Sequence, residues 1–132
     1  MEQNQVFDQA RASRKLLIVD DEEKICRMLA QYFSLKGYEV RAVRGGEEAL
    51  VLAAVFQPDV VLLDLLMPGL NGWETLDRLR AVPELADTPV VILTAKGSPY
   101  DRLVGENVAR VSAYLSKPFR IDELREVIQK LL

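Results

Sequence analysis

Five side chains in this 132-residue chain have the types and settings for chemistry at phosphorus or at a metal: Asp20, Asp21, Asp64, Thr94 and Lys117. Each stands where a short apolar run ends: LLIV before Asp20 and Asp21, VVLL before Asp64, VVIL before Thr94, and VSAYL just ahead of Lys117. Three clustered carboxylates repel one another and raise one another's pKa unless a cation joins them. Oxygen donors without imidazole or thiolate suit a hard ion such as Mg²⁺. Lys117 is long enough to reach an incoming anion and Thr94 can donate to it. The set thus holds what phosphoryl transfer needs: a nucleophile, a charge-neutralising metal and donors for the phosphoryl oxygens. The nucleophile must be a carboxylate, because the chain has no histidine to act as general base or to form a Ser-His or Cys-His pair.

Composition removes other chemistries. Cys26 is the single cysteine, so neither an intrachain disulfide nor a thiolate cluster can form, and a reduced, cytoplasmic setting is expected. Cys26 reads as a packing residue. A net charge of −3 supplies no broad positive field for nucleic acid or anionic lipid. No run of apolar residues is long enough to cross a membrane, and the N-terminus is polar. With 49% apolar and 28% charged residues, the length fits one packed domain.

The elements that must position these residues follow from hydrophobic periodicity. Residues 1–14 show no sustained period and read as a flexible N-terminal extension to a domain over 15–132. Strands are expected at 16–19, 38–43, 60–63, 89–93 and 111–115. Helices are expected between and after them: one on the face Ile25, Met28, Leu29, Tyr32 and Phe33 with Gly37 as its stop, then 47–56, 73–82, a weaker one at 99–109, and a last one on the face Ile121, Leu124, Val127, Ile128 and Leu131. Five strand–helix units with all-apolar strands imply α/β architecture, a doubly wound five-stranded parallel sheet with five helices. In such sheets ligands bind beyond the carboxyl ends of the strands, where strand order reverses. An Asp after a strand is often only a turn former, and Thr94 or Lys117 alone could be a loop residue. All five on one rim is what a merely structural role does not predict.

Other features carry less. Trp73, after Asn71-Gly72, reads as packing at a capped helix start. Gly45-Gly46 lacks the spacing of a phosphate loop. Arg41, Arg44, Glu47 and Glu48 read as an exposed charged surface.

From Leu16 to Leu132 the chain resembles the receiver (phosphoacceptor) domain of two-component response regulators, of the chemotaxis-regulator kind. The likeness rests on LLIVDDE, VVLLDLLMPGLNGWE, VVILTA and AYLSKPF. The motif D-x-x-M-P-x-x-N-G starts 43 residues after Asp21, 30 before Thr94 and 53 before Lys117. The resemblance implies a flavodoxin-like (βα)5 fold and a phosphorylation-activated signalling switch. Asp64 would accept a phosphoryl group from the phosphohistidine of a partner histidine kinase or histidine phosphotransfer protein, then lose it slowly by self-catalysed hydrolysis. Asp21 would ligate Mg²⁺ directly, Asp20 through water, and Asp64 and the Leu66 backbone carbonyl would complete the protein ligands. Lys117 would pair with the phosphoryl oxygens, its bond to Pro118 being cis as in the family. Thr94 and Tyr114 would be the switch pair, altering the surface of the fourth helix, fifth strand and fifth helix. A homodimer formed on phosphorylation is compatible with this, and the output partner is unspecified. Ala95 leaves room above Asp64 for a phosphodonor or water.

Two departures from the family pattern stand out. Arg110-Val111-Ser112-Ala113 places a cation at a turn that is usually small, and Gly97, Pro99 and Gly105 weaken the fourth helix. Two other functions compete. Phosphatases and phosphotransferases that use an aspartyl-phosphate commonly carry a second Asp two residues after the nucleophile; here that position is Leu66. A receiver-like module that binds partners without phosphorylation would not need all five site residues. The chain ends on the last helix face, as a stand-alone regulator or a piece of a larger one. Lacking histidine, it cannot be its own phosphohistidine donor.

Overall fold

A computed structural model describes residues 13–67, 69–95 and 111–132. Its strands are β1 (Lys15–Val19), β2 (Glu39–Val43), β3 (Val60–Asp64), β4 (Val90–Ala95) and β5 (Ala113–Lys117). They form one parallel sheet in the order β2-β1-β3-β4-β5. The described helices are α1 (Glu23–Leu35), α2 (Gly46–Phe56), α3 (Gly72–Ala81) and the C-terminal α4 (Ile121–Leu131), with a 3-10 turn at Pro83–Leu85. The helix expected at 99–109 and most of the extension 1–14 lie outside the described residues. Among the described residues no helix is long and apolar enough to cross a membrane.

Side chains alternate across the sheet, so each central strand supplies two cores. Leu17, Val19, Val61, Leu63, Val90 and Ile92 pack under α2 and α3 with Ala49, Ala53, Leu76 and Leu79. Leu16, Ile18, Val60, Leu62, Val91 and Leu93 pack under α1 and α4 with Leu29, Phe33, Leu124 and Ile128. This two-sided burial is why the strands read as unbroken apolar runs.

Several boundaries shift from the periodicity reading. β5 begins two residues later than 111 and runs through Lys117, paired in register with β4 from Val91↔Ala113 to Ala95↔Lys117. Val111 is apolar because it is buried against the α2 and α3 core, not because it lies in the ladder. β4 likewise extends to Ala95, which places Thr94 inside the strand rather than after it. α3 ends at Ala81, where Pro83 cannot continue the helix and instead opens the 3-10 turn.

Candidate functional site

The chain runs outward from β1 to β2 and then crosses back to β3, so strand order reverses between β1 and β3. Asp20 follows β1 and Asp64 closes β3. Period-two alternation extends the stripe Leu16, Ile18 to Asp20, the stripe Val60, Leu62 to Asp64, and the stripe Ala113, Leu115 to Lys117. All three stripes line the α1 and α4 side, so these groups meet above one core.

Asp20 and Asp64 are buried while Asp21 is exposed, and the three can each offer an oxygen within 4.8 Å of one another. Lys117 Nζ donates to Asp20 Oδ2 at 2.8 Å, to Glu22 Oε1 at 3.2 Å and to Asp64 Oδ2 at 3.5 Å. Backbone amides hold the remaining oxygens: Glu22 N donates to Asp20 Oδ1 at 2.9 Å and Leu66 N to Asp64 Oδ1 at 3.1 Å. Burial and the neighbouring Asp20 charge raise the Asp64 pKa to about 6, against the opposing pull of Lys117 and the Leu66 amide. For Lys117, burial disfavours the charge but the bond to Asp20 and the carboxylates around it outweigh that, leaving its pKa raised. Among the described residues one ammonium faces several acids, which leaves the pocket short of positive charge. An oxygen-only donor set with that deficit is suited to a hard divalent cation.

The loop after Asp64 is built to hold this geometry. Asn71 caps α3, its Oδ1 accepting from Glu74 N at 2.9 Å while Glu74 Oε1 accepts from Asn71 N at 3.4 Å. Gly72 lets the helix start press on the strand end: a Cβ there would lie 2.6 Å from both the Asp64 carbonyl oxygen and Leu65 Cα. The Lys117-Pro118 peptide is cis, as the resemblance implied.

Thr94 and Tyr114 lie on the other stripe, although Asp64 pairs with Leu93, so Thr94 is the next residue beyond Asp64's partner on the adjacent strand. Register pairs Ile92 with Tyr114 and Thr94 with Ser116, placing both on the opposite parity, toward the α2 and α3 side. Thr94 is fully buried, whereas Tyr114 is 47% exposed. Leu66 presents a 40% exposed apolar side chain, so the position two beyond Asp64 has no proton donor. Glu22 is the residue that sequence reading passed over: as one of four consecutive acids it looked like loop, and only folding shows it on Lys117. Cys26 is buried, donates to the Asp20 carbonyl at 3.1 Å, and has its thiol pushed up to about 11 by burial and by Asp20, which suits a structural thiol. Trp73 is half-buried against the α2 and α3 core, with its indole Nε1 buried and without a hydrogen-bond partner among the described residues.

Comparison with known proteins bears on this pocket. The uncharacterised transcriptional regulatory protein YkoG of Bacillus subtilis is 42% identical over 117 residues, 89% of this chain and 50% of YkoG. The chain spans about half the length of the curated relatives it matches. Among solved structures, the Vibrio cholerae chemotaxis protein CheY4 matches with TM-score 0.82 and 32% identity over 91% of this chain and 99% of CheY4. The response regulator TrrA of Thermotoga maritima, solved in complex with Mg²⁺-BeF, matches with TM-score 0.78 and 34% identity over 90% of this chain and 99% of TrrA. The sequence model of the response regulator receiver domain matches residues 16–129. An acidic pocket at the strand-order reversal, a lysine from the sheet's far side and this match agree: the chain belongs to the response regulator receiver domain family.

Proposed function

We propose that this protein is a phosphorylation-activated switch whose receiver unit spans 15–132, preceded by the extension 1–14, and whose phosphoacceptor is Asp64. The observation that carries the reading is the convergence of Asp20, Asp21, Asp64 and Lys117 at the reversal of strand order. An Asp64 oxygen attacks phosphorus of a phosphohistidine on a histidine kinase or phosphotransfer protein. The new O–P bond forms as the N–P bond breaks, and the electron pair leaves with the imidazole nitrogen. With a pKa of about 6, Asp64 is mostly ionised at neutral pH and ready to attack.

Asp20, Asp21, Asp64 and the Leu66 carbonyl are the groups to hold Mg²⁺, which when bound neutralises charge on the transferring phosphoryl group. Lys117 is within 3.5 Å of Asp64 and poised to exchange carboxylate partners for phosphoryl oxygens. Beside it lies a hollow lined by Ile25, Met28, Ala95, Pro118 and Phe119, an apolar approach for the donor protein. Thr94 responds to the phosphoryl group and Tyr114, on the same side of the sheet, follows it, altering the surface of β5 and its neighbouring helices. The group adds about −1.5 to −2 charge and three acceptors, so Thr94 and Lys117 gain bonds present only in that state.

The test is titration with Mg²⁺ and beryllofluoride, read by Trp73 fluorescence and backbone NMR. Asp64→Asn is expected to abolish the response. A wild-type protein that does not respond overturns the reading.

A further inference from the structure

Lys117 has three donors and three carboxylate partners for them. Its Nζ donates to Asp20 Oδ2 at 2.8 Å, to Glu22 Oε1 at 3.2 Å and to Asp64 Oδ2 at 3.5 Å. An ammonium carries three N–H groups and no acceptor, so these bonds use all of them. A phosphoryl group on Asp64 brings three strong acceptors, and Lys117 can bond to one of those oxygens only by giving up a carboxylate.

Exposure decides which one. The Asp20 side chain is fully buried, and without the ammonium it would be an uncompensated charge in the interior. Asp64 bears the phosphoryl group itself. The Glu22 side chain is 58% exposed and lines the hollow beside Lys117, so its carboxylate returns to water on release. Ion pairs this exposed are held only weakly. The backbone need not move for the exchange. Glu22 N stays on Asp20 Oδ1 at 2.9 Å, the Glu22 carbonyl accepts from Cys26 N at 3.1 Å, and Lys117 is held in register opposite Ala95. Glu22 is also the N-cap residue of α1, where short side chains accept from first-turn amides. Its own side chain makes no cap bond and is turned to Lys117 instead.

We propose that Glu22 is a positioning residue that holds Lys117 in the unphosphorylated protein and is the partner exchanged for a phosphoryl oxygen. The inference rests on the reading of Asp64 as phosphoacceptor and adds a counterweight to it. The Glu22 pair exists only before the phosphoryl group arrives, so it favours the unphosphorylated form.

The test is the affinity for beryllofluoride at fixed Mg²⁺ concentration, read by Trp73 fluorescence, in Glu22→Asp, Glu22→Gln and Glu23→Gln. Asp keeps the charge but is one methylene shorter, and as a cap it is drawn to the α1 amides and away from Lys117. Glu22→Asp is expected to bind about threefold more tightly than the wild type, the scale of one partly exposed ion pair, and Glu22→Gln at least as tightly. Glu23→Gln removes a charge that faces Arg27 and Arg44 instead, and should bind as the wild type does. In chelator and without beryllofluoride, the Lys117 Cε and Nζ NMR signals should shift in Glu22→Asp and stay in place in Glu23→Gln. Melting curves confirm that each variant is folded. Unchanged or weaker binding by Glu22→Asp overturns the inference, as does tightening confined to Glu22→Gln or shared by Glu23→Gln, either of which is an effect of net charge. A Lys117 signal indifferent to Glu22 overturns it as well. Those results leave Asp64 standing as phosphoacceptor, whereas a wild type that does not respond to beryllofluoride overturns both.

Discussion

Replacing Asp64 by Asn is expected to stabilise the metal-free protein at neutral pH while abolishing its proposed activity. Folding raises the Asp64 pKa from 3.8 to about 6, through burial first and Asp20 second. An acid that holds its proton more tightly when folded makes stability fall as pH rises between those two values. The full penalty, about 3 kcal/mol at ~1.4 kcal/mol per unit, is present above the folded value and absent below about pH 4. The side chain is only 5% exposed, so solvent screening removes little of it. Asn keeps an oxygen for the Leu66 amide, and the pull of Lys117 across 3.5 Å is already part of the balance that sets the Asp64 pKa. The net gain is about 3 kcal/mol, a rise in Tm on the order of 10 °C for a domain of this size. Urea titrations of both proteins in chelator, from about pH 4 to neutrality, measure it. The two curves should converge at the acid end and separate as pH rises. An Asn variant less stable at neutral pH, or a difference independent of pH, would refute the claim that repulsion in this pocket is stored in the fold.

Three other substitutions follow from the same geometry. Asp21→Ala removes an exposed acid that contributes least among the charges raising Asp64, so metal-free stability should change by less than about 0.5 kcal/mol while the Mg²⁺-induced rise in melting temperature disappears; a large metal-free change would give Asp21 a structural role. Lys117→Met leaves Asp20 buried without its 2.8 Å partner and should cost about 3 kcal/mol in chelator, with much of it recovered on adding Mg²⁺; a loss that Mg²⁺ leaves unchanged would contradict cation deficit as its cause. Gly72→Ala forces a methyl to within 2.6 Å of the Asp64 carbonyl oxygen and of Leu65 Cα just beyond β3 and should cost about 2–4 kcal/mol by urea denaturation, whereas wild-type stability would show that α3 shifts freely.

Much of this site is legible in the sequence because two periodicities write it there. Apolar runs ending in Asp20, Asp64 and Thr94 mark strand ends, and the switch to helical spacing after Ile25 and after Ile121 shows that helices cover both faces. Such local patterns determine the parallel α/β class and the rim on which the acids lie. They misplace β5 because Val111 is apolar for burial against α2 and α3, a contact between distant segments that periodicity does not encode.

Neighbourhood was decided by tertiary structure alone. Parity along β1, β3 and β5 assigns Asp20, Asp64 and Lys117 each to an odd or even stripe, but only the strand order and register make those stripes face the same helices. The same register sends Thr94 and Tyr114 to the other side of the sheet. Lys117 lies closer to Asp20 and Glu22 than to Asp64, and nothing in linear spacing distinguishes those partners. The Asp64 pKa has the same origin: residue type sets its ordinary value, whereas burial and a carboxylate 44 positions earlier in the chain set the value at which it works. Sequence determines which groups line the rim, and packing determines how strongly they repel, because electrostatic energy depends on distance and water exclusion rather than on order along the chain.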